Sequence, residues 1–141
     1  MFLAERLGDF MEPGSIILLE GPLGSGKTTF VRGLAKGLGL SQDYDIVSPT
    51  FTLLNIYPAR LPLYHADCYR ASVDDLFDMD LMNQASDGVL AIEWPKQEDI
   101  SAANDIWHVS LNYNGEEQRM LRLAPPASLQ ARIKSVLEPD V

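Results

Sequence analysis

Cysteine is almost missing from this chain: Cys68 stands alone among 141 residues. One thiol cannot close an internal disulfide, so the fold must be held by its core, and the composition fits a reducing compartment. Cys68 itself reads as a small strand hydrophobe rather than a nucleophile. Basic charge is also short, with 11 Lys and Arg against 20 Asp and Glu and a net charge of −9. The basic residues are scattered and form no stripe, which speaks against DNA binding and against tight independent binding of RNA. No apolar run comes near the roughly 20 residues that span a membrane. The start, Met1 to Arg6, carries acid early and lacks the basic n-region of a signal peptide, so a cytoplasmic protein is expected. Repeats, low-complexity tracts and linkers are absent as well. What is present is an ordinary globular composition, 46% hydrophobic and 22% charged, enough for one domain with a real core over residues 1–141.

One octet carries most of the chemical information. Gly21-Pro22-Leu23-Gly24-Ser25-Gly26-Lys27-Thr28 fits G-x-x-x-x-G-K-[ST], the phosphate-binding P-loop. Gly21, Gly24 and Gly26 let the backbone take positive φ and approach an anion closely. Successive N–H groups then line a nest for phosphate. Lys27 adds a point charge that can reach the β- and γ-oxygens, and the Thr28 hydroxyl can complete a magnesium shell. The flanks agree. Ser15-Ile16-Ile17-Leu18-Leu19-Glu20 reads as a buried parallel strand, and Thr29 to Leu38 has helical apolar spacing, so a helix N-terminus faces the phosphates. The competing reading of the octet is a chance glycine turn, which the flanking strand and helix oppose.

A magnesium–nucleotide site also needs acids. Glu93 closes Val89-Leu90-Ala91-Ile92 in the apolar-strand-then-acid pattern of a Walker B element, and Asp67 ends Leu63-Tyr64-His65-Ala66. One can hold magnesium while the other orients the attacking water. For either, the bland alternative is a solvated acid at a strand end. Ser48-Pro49-Thr50-Phe51-Thr52 lies where many P-loop NTPases keep a nucleotide-sensing switch. A plain turn is the competing reading of that segment. His65 reads as a packed strand histidine rather than a catalyst. Trp94 reads as a packing residue that its neighbour Glu93 puts close to the metal, and Arg70 as the internal candidate for countering phosphate charge.

The remaining elements are expected as a short amphipathic helix over 3–11 ended by Pro13-Gly14, a hairpin from Phe51–Tyr57 and Leu61–Asp67, and a helix over Val73–Met82. A buried strand over 88–93 follows, then a second hairpin, Ile106–Leu111 with Arg119–Leu123 around Asn114-Gly115, and a closing helix over Leu129–Leu137. The alternation predicts an α/β fold: a P-loop NTPase sandwich with a mixed, mainly parallel central sheet flanked by helices.

Taken together, Leu23 to Gly33, Val47 to Leu53, Tyr64-His65-Ala66-Asp67-Cys68-Tyr69-Arg70 and Ile92-Glu93-Trp94-Pro95 resemble one family, the bacterial tRNA threonylcarbamoyladenosine biosynthesis ATPase TsaE, also called YjeE. The match covers most of residues 3–95. The resemblance implies a protein that binds ATP or ADP with Mg2+, hydrolyses ATP slowly and works on the TsaB–TsaD pair, meeting tRNA only through those partners. It implies that Lys27 and the loop residues Gly21, Leu23, Gly24, Ser25, Gly26, Thr28 and Thr29 hold the nucleotide, with Thr28 and Glu93 on magnesium. Asp67 then serves hydrolysis with Lys27 and Glu93, Ser48 and Thr50 form the switch, and Trp94 and Arg119 complete the cofactor-binding set. Three departures stand out. Pro22 replaces the usual Asp or Asn, Ala66 and Cys68 replace larger core residues, and the family's first strand and Thr-containing turn would precede Met1. A chain missing an N-terminal strand is therefore expected. Two other functions fit a P-loop: a small-molecule kinase, and a nucleotide-dependent binding module without turnover. A kinase usually carries an arginine-bearing lid, and between Arg70 and Arg119 there is no arginine.

Overall fold

The computed structural model describes residues 2–22, 24–49, 53–68, 81–93, 106–113, 119–126 and 129. Helix α1 is Phe2–Leu7, continued by a 3-10 turn at Gly8–Phe10; β1 is Ser15–Glu20 and α2 is Lys27–Gly37. Then come β2 (Leu54–Tyr57), β3 (Leu63–Asp67), a short α3 (Leu81–Gln84), a 3-10 turn (Ala85–Asp87) and β4 (Val89–Glu93). Strands β5 (Ile106–Tyr113) and β6 (Arg119–Ala124) follow. Most of the expected helix over 73–82, the Asn114-Gly115 turn and the expected closing helix beyond Leu129 lie outside the described residues.

The strands form one 6-stranded sheet in the order β2-β3-β4-β1-β5-β6. The central pairs β3–β4, β4–β1 and β1–β5 are parallel, while β2–β3 and β5–β6 are antiparallel hairpins. A sheet of this kind is covered on both faces, so its central strands are apolar throughout instead of alternating with polar residues. Period-2 geometry splits them between two cores. Ile17, Leu19, Val89, Ala91 and Leu63 join Ala4, Leu7, Phe30, Val31 and Leu34 under α1 and α2. Ile16, Leu18, Leu90, Ile92, Tyr64 and Ala66 face the other way, with Cys68 and Ala85. Cys68 is buried, as expected of a small hydrophobe, but it sits one residue past β3, where its N–H donates to the Glu93 carbonyl at 2.9 Å.

Two strand starts differ from expectation. β2 begins at Leu54, not Phe51, and β3 at Leu63, not Leu61. Leu53 has φ +67°, a left-handed conformation that bulky residues avoid and that interrupts an extended run. Its N–H donates to Pro49 O at 2.9 Å and its carbonyl accepts from Asp67 N at 3.0 Å, so a turn is built where alternation alone reads as strand. Between β2 and β3, Arg60 closes onto the helices. Its amide donates to Leu38 O at 2.9 Å, and its guanidinium donates to Gly8 O at 3.0 Å.

Helices α1 and α2 meet through glycine. A Cβ on Gly37 would overlap the Glu5 carbonyl, and one on Gly8 would press into the Gly37 backbone. We expect Gly37→Ala to destabilise the fold by about 1–3 kcal/mol through overpacking, despite the better helix propensity of alanine. Urea unfolding should show a lower midpoint at unchanged slope; an unchanged or higher midpoint contradicts the close contact.

Candidate active site

The turn from β1 into α2 is shaped by the carboxyl end of the sheet. Gly21 (φ +151°) passes so close to β5 that a Cβ would overlap the Leu111 carbonyl and the Ser25 hydroxyl. Gly26 (φ +106°) caps α2 in a left-handed conformation, and its carbonyl accepts the first helical bond, from Phe30 N at 2.8 Å. The first-turn amides of an α-helix have no intrahelical acceptor. Together with the helix dipole they make the start of α2, at Lys27, Thr28 and Thr29, a positive end that favours an anion.

Lys27 is 95% removed from solvent, with 5% exposure. Its Nζ donates to Gly21 O at 2.6 Å and Pro22 O at 3.1 Å, folding the ammonium back over its own loop. Burial pushes its pKa below the usual lysine value, while the carboxylates of Glu93 and Asp67 pull it back up.

Those acids arrive by strand register. Glu93 pairs with Leu19 of β1 on one side and with Asp67 of β3 on the other, so both carboxylates finish their strands in one row beside the loop. Both are 3% exposed. The Thr28 hydroxyl lies 3.2 Å from Glu93 Oε2 and 3.4 Å from Oε1. Ser48 Oγ donates to Asp67 Oδ2 at 3.2 Å. The segment carrying Ser48 is held from three elements: Arg32 Nε of α2 donates to Ile46 O (3.0 Å), Asn55 Nδ2 of β2 to Val47 O (3.4 Å), and Leu53 links Pro49 to Asp67.

His65 supplies the contact that sequence reading missed. It is wholly buried, and its Nε2 hydrogen-bonds Glu93 Oε2. A carboxylate only accepts, so the ring must carry its hydrogen on Nε2. Nδ1 has no partner among the described residues.

A family model described as "Threonylcarbamoyl adenosine biosynthesis protein TsaE" matches residues 1–121. The chain belongs to the TsaE family. Curated TsaE proteins similar to it include that of Nostoc sp., 42% identical over 125 residues, spanning 84% of this chain and 75% of the relative. That of Treponema pallidum is 50% identical over 90 residues (62% of this chain, 65% of the relative), and that of Bacillus subtilis 35% over 119 residues (83% and 73%). Each is a tRNA threonylcarbamoyladenosine biosynthesis protein, and this TsaE chain shares that pathway role. The crystal structure of Bacillus subtilis YdiB superposes with a TM-score of 0.69 at 29% identity, covering 97% of this chain and 85% of that one. The expected α/β architecture with a mixed, mainly parallel sheet is thus present.

Of the residues that the TsaE resemblance singled out, the fold brings Lys27, Thr28, Ser48, Asp67 and Glu93 together, beside Gly21, Gly24, Ser25 and Gly26 of the loop. Thr29 follows on α2 with its side chain exposed. Leu23, Thr50, Arg70 and Trp94 lie outside the described residues. The backbone of Arg119 pairs with Tyr113 at the loop end of the sheet, two strands away from β1. Removing the hydroxyl in Ser48→Ala should cost the nucleotide-free protein about 1 kcal/mol, a modest figure for a half-buried bond to a carboxylate. Chemical denaturation measures it, and no loss would argue that the Ser48–Asp67 bond is not formed in solution.

Proposed function

We propose that this chain is a magnesium-dependent ATPase that supports tRNA N6-threonylcarbamoyladenosine modification. It binds ATP, hydrolyses it slowly and acts on the TsaB–TsaD pair without itself transferring the threonylcarbamoyl group. The observation that carries this reading is the contact of the Thr28 hydroxyl with both oxygens of Glu93, directly beside a buried Lys27.

The residues present fit magnesium. Among the described residues no cluster of three or more His, Cys, Asp or Glu makes a self-sufficient metal cage. Magnesium in nucleotide sites does not use one; it takes one or two protein oxygens, with phosphate and water oxygens supplying the rest. Thr28 and Glu93 would hold it. When bound, the ion would neutralise charge on the β- and γ-phosphate oxygens.

The protein's own groups do the rest. Gly21, Gly24, Ser25 and Gly26 line the phosphate cradle with the first-turn amides of Lys27, Thr28 and Thr29, and Leu23 is assigned to the same cofactor-binding set by the family resemblance. Lys27 exchanges its two carbonyl acceptors for phosphate oxygens. Asp67, held by Ser48, accepts a hydrogen bond from the attacking water, which adds to the γ-phosphoryl group as its bond to ADP breaks. Ser48 and Thr50 respond to the state of the γ-phosphate, and Trp94 and Arg119 complete the nucleotide site. The −9 charge supports a route to tRNA through partners rather than through this chain. A single domain over 1–141 in the cytoplasm fits this role, and among the described residues no helix is long and apolar enough to cross a membrane.

ATP hydrolysis measured with and without TsaB–TsaD is the test. Stimulation by the pair is expected; turnover that instead requires a small acceptor would make the protein a kinase. Lys27→Ala should weaken nucleotide binding by about 10–150-fold, the loss of a charge-assisted hydrogen bond, measured calorimetrically. Asp67→Asn should keep nucleotide binding but lower hydrolysis by about 10²–10⁴-fold; equal rates for the two proteins would remove Asp67 from the reaction.

A further inference from the structure

We infer that His65 is a positioning residue: its Nε2–H pins the Glu93 carboxylate in the orientation that serves the cation beside Thr28. This rests on the reading of Glu93 as a magnesium-side ligand and adds a residue to it.

Three observations converge. First, the ring is not there to fill space. His65 is wholly buried in β3, where an aliphatic side chain would pack without a polar atom to satisfy. Burying a polar group costs free energy unless it is hydrogen-bonded. The bond that offsets this cost goes to Glu93 Oε2 and not to the backbone.

Second, the sheet makes room for that bond. His65 stands opposite Ala91 in the parallel ladder, with Asn55 opposite it on the β2 side. Ala91 is the smallest side chain in its row of β4, so the imidazole can lean across it toward Glu93, two residues further along. A larger residue at 91 would fill the gap between ring and carboxylate.

Third, Glu93 needs a fixed orientation. The Thr28 hydroxyl sits nearly equidistant from the two oxygens, at 3.2 and 3.4 Å, and has one hydrogen to give. By itself it does not select between them. His65 does: it engages Oε2, so the two oxygens are no longer equivalent, and Oε1 keeps the Thr28 hydroxyl as its partner among the described residues. Ligating carboxylates are generally hydrogen-bonded in this way, and losing that partner typically weakens metal binding or activity by about 10–100-fold.

The test uses the full chain with ADP and Mn2+, a paramagnetic stand-in for magnesium whose binding is read by electron paramagnetic resonance without any turnover. His65→Leu removes the donor, and His65→Asn keeps a polar side chain too short to reach Glu93. His65→Gln carries an amide nitrogen at the reach of Nε2. We expect Mn2+ affinity of the ADP complex to fall about 10–100-fold in the Leu and Asn variants and to return near the parent value in the Gln variant. ADP affinity in EDTA reports whether each variant has kept its fold. Should the Leu variant not fold, the Asn–Gln pair decides. Parent-like Mn2+ affinity in the Asn variant, or a Gln variant as weak as Asn, overturns the proposal while the metal site stands. A parent protein that binds ADP but retains no Mn2+ overturns the metal reading and this inference together.

Discussion

Leu19 of β1 and Glu93 of β4 face each other across a parallel ladder, and the functional end of the molecule hangs on that register. Side chains alternate across a strand, so a slip of one residue would carry Glu93 to the opposite face of the sheet. There it would meet the cluster of Ile16, Leu18 and Ile92 instead of α2. The same register aligns Asp67 with Glu93 through β3 and sets His65 beside Ala91. Two independent apolar cores, one on each face, hold it. The sheet must keep Ile17 and Leu19 under the helices and Ile16 and Leu18 away from them, and satisfying both demands fixes where the acids end up.

The electrostatic consequence is local. A chain with a strong acidic surplus builds one small region where an anion is welcome, using a buried ammonium, a helix N-terminus and glycine amides. Directly beside it two carboxylates are kept out of water. Such groups are tolerated only when partnered, and each is: Glu93 by Thr28 and His65, Asp67 by Ser48. The partners come from three separate stretches of chain. Motion of the Ser48 segment would therefore break a bond to Asp67, as the proposed switch requires.

Much of this was legible in the sequence because it is local. The glycine spacing of 21–28, the apolar strand before it and the acid closing Val89–Ile92 each state their role within a few residues. The mixed sheet follows from the order of those pieces. Two things were not legible. The extended-looking run at 51–57 starts as strand only at Leu54, because Leu53 takes a left-handed turn closed by Pro49 and Asp67, and propensity carries no trace of the long-range bond from Asp67. The pairing of His65 with Glu93 spans 28 residues and depends on Ala91 being small at one register position. The available signal was a histidine two residues before an acid in a strand otherwise wholly apolar on that face; seen from one strand, it reads as packing.

Lys27 is bonded to the carbonyls of Gly21 and Pro22. The loop thus carries its own placeholder, a cation whose donors are already satisfied. In the proposed nucleotide site an incoming phosphate would not meet a bare charge; it would displace two carbonyl oxygens from it. What the ligand gains is the difference between two sets of hydrogen bonds, smaller than the strength of either. On the proposed reading, a site built as an exchange would give up its ligand more readily than one whose ammonium had no other acceptors.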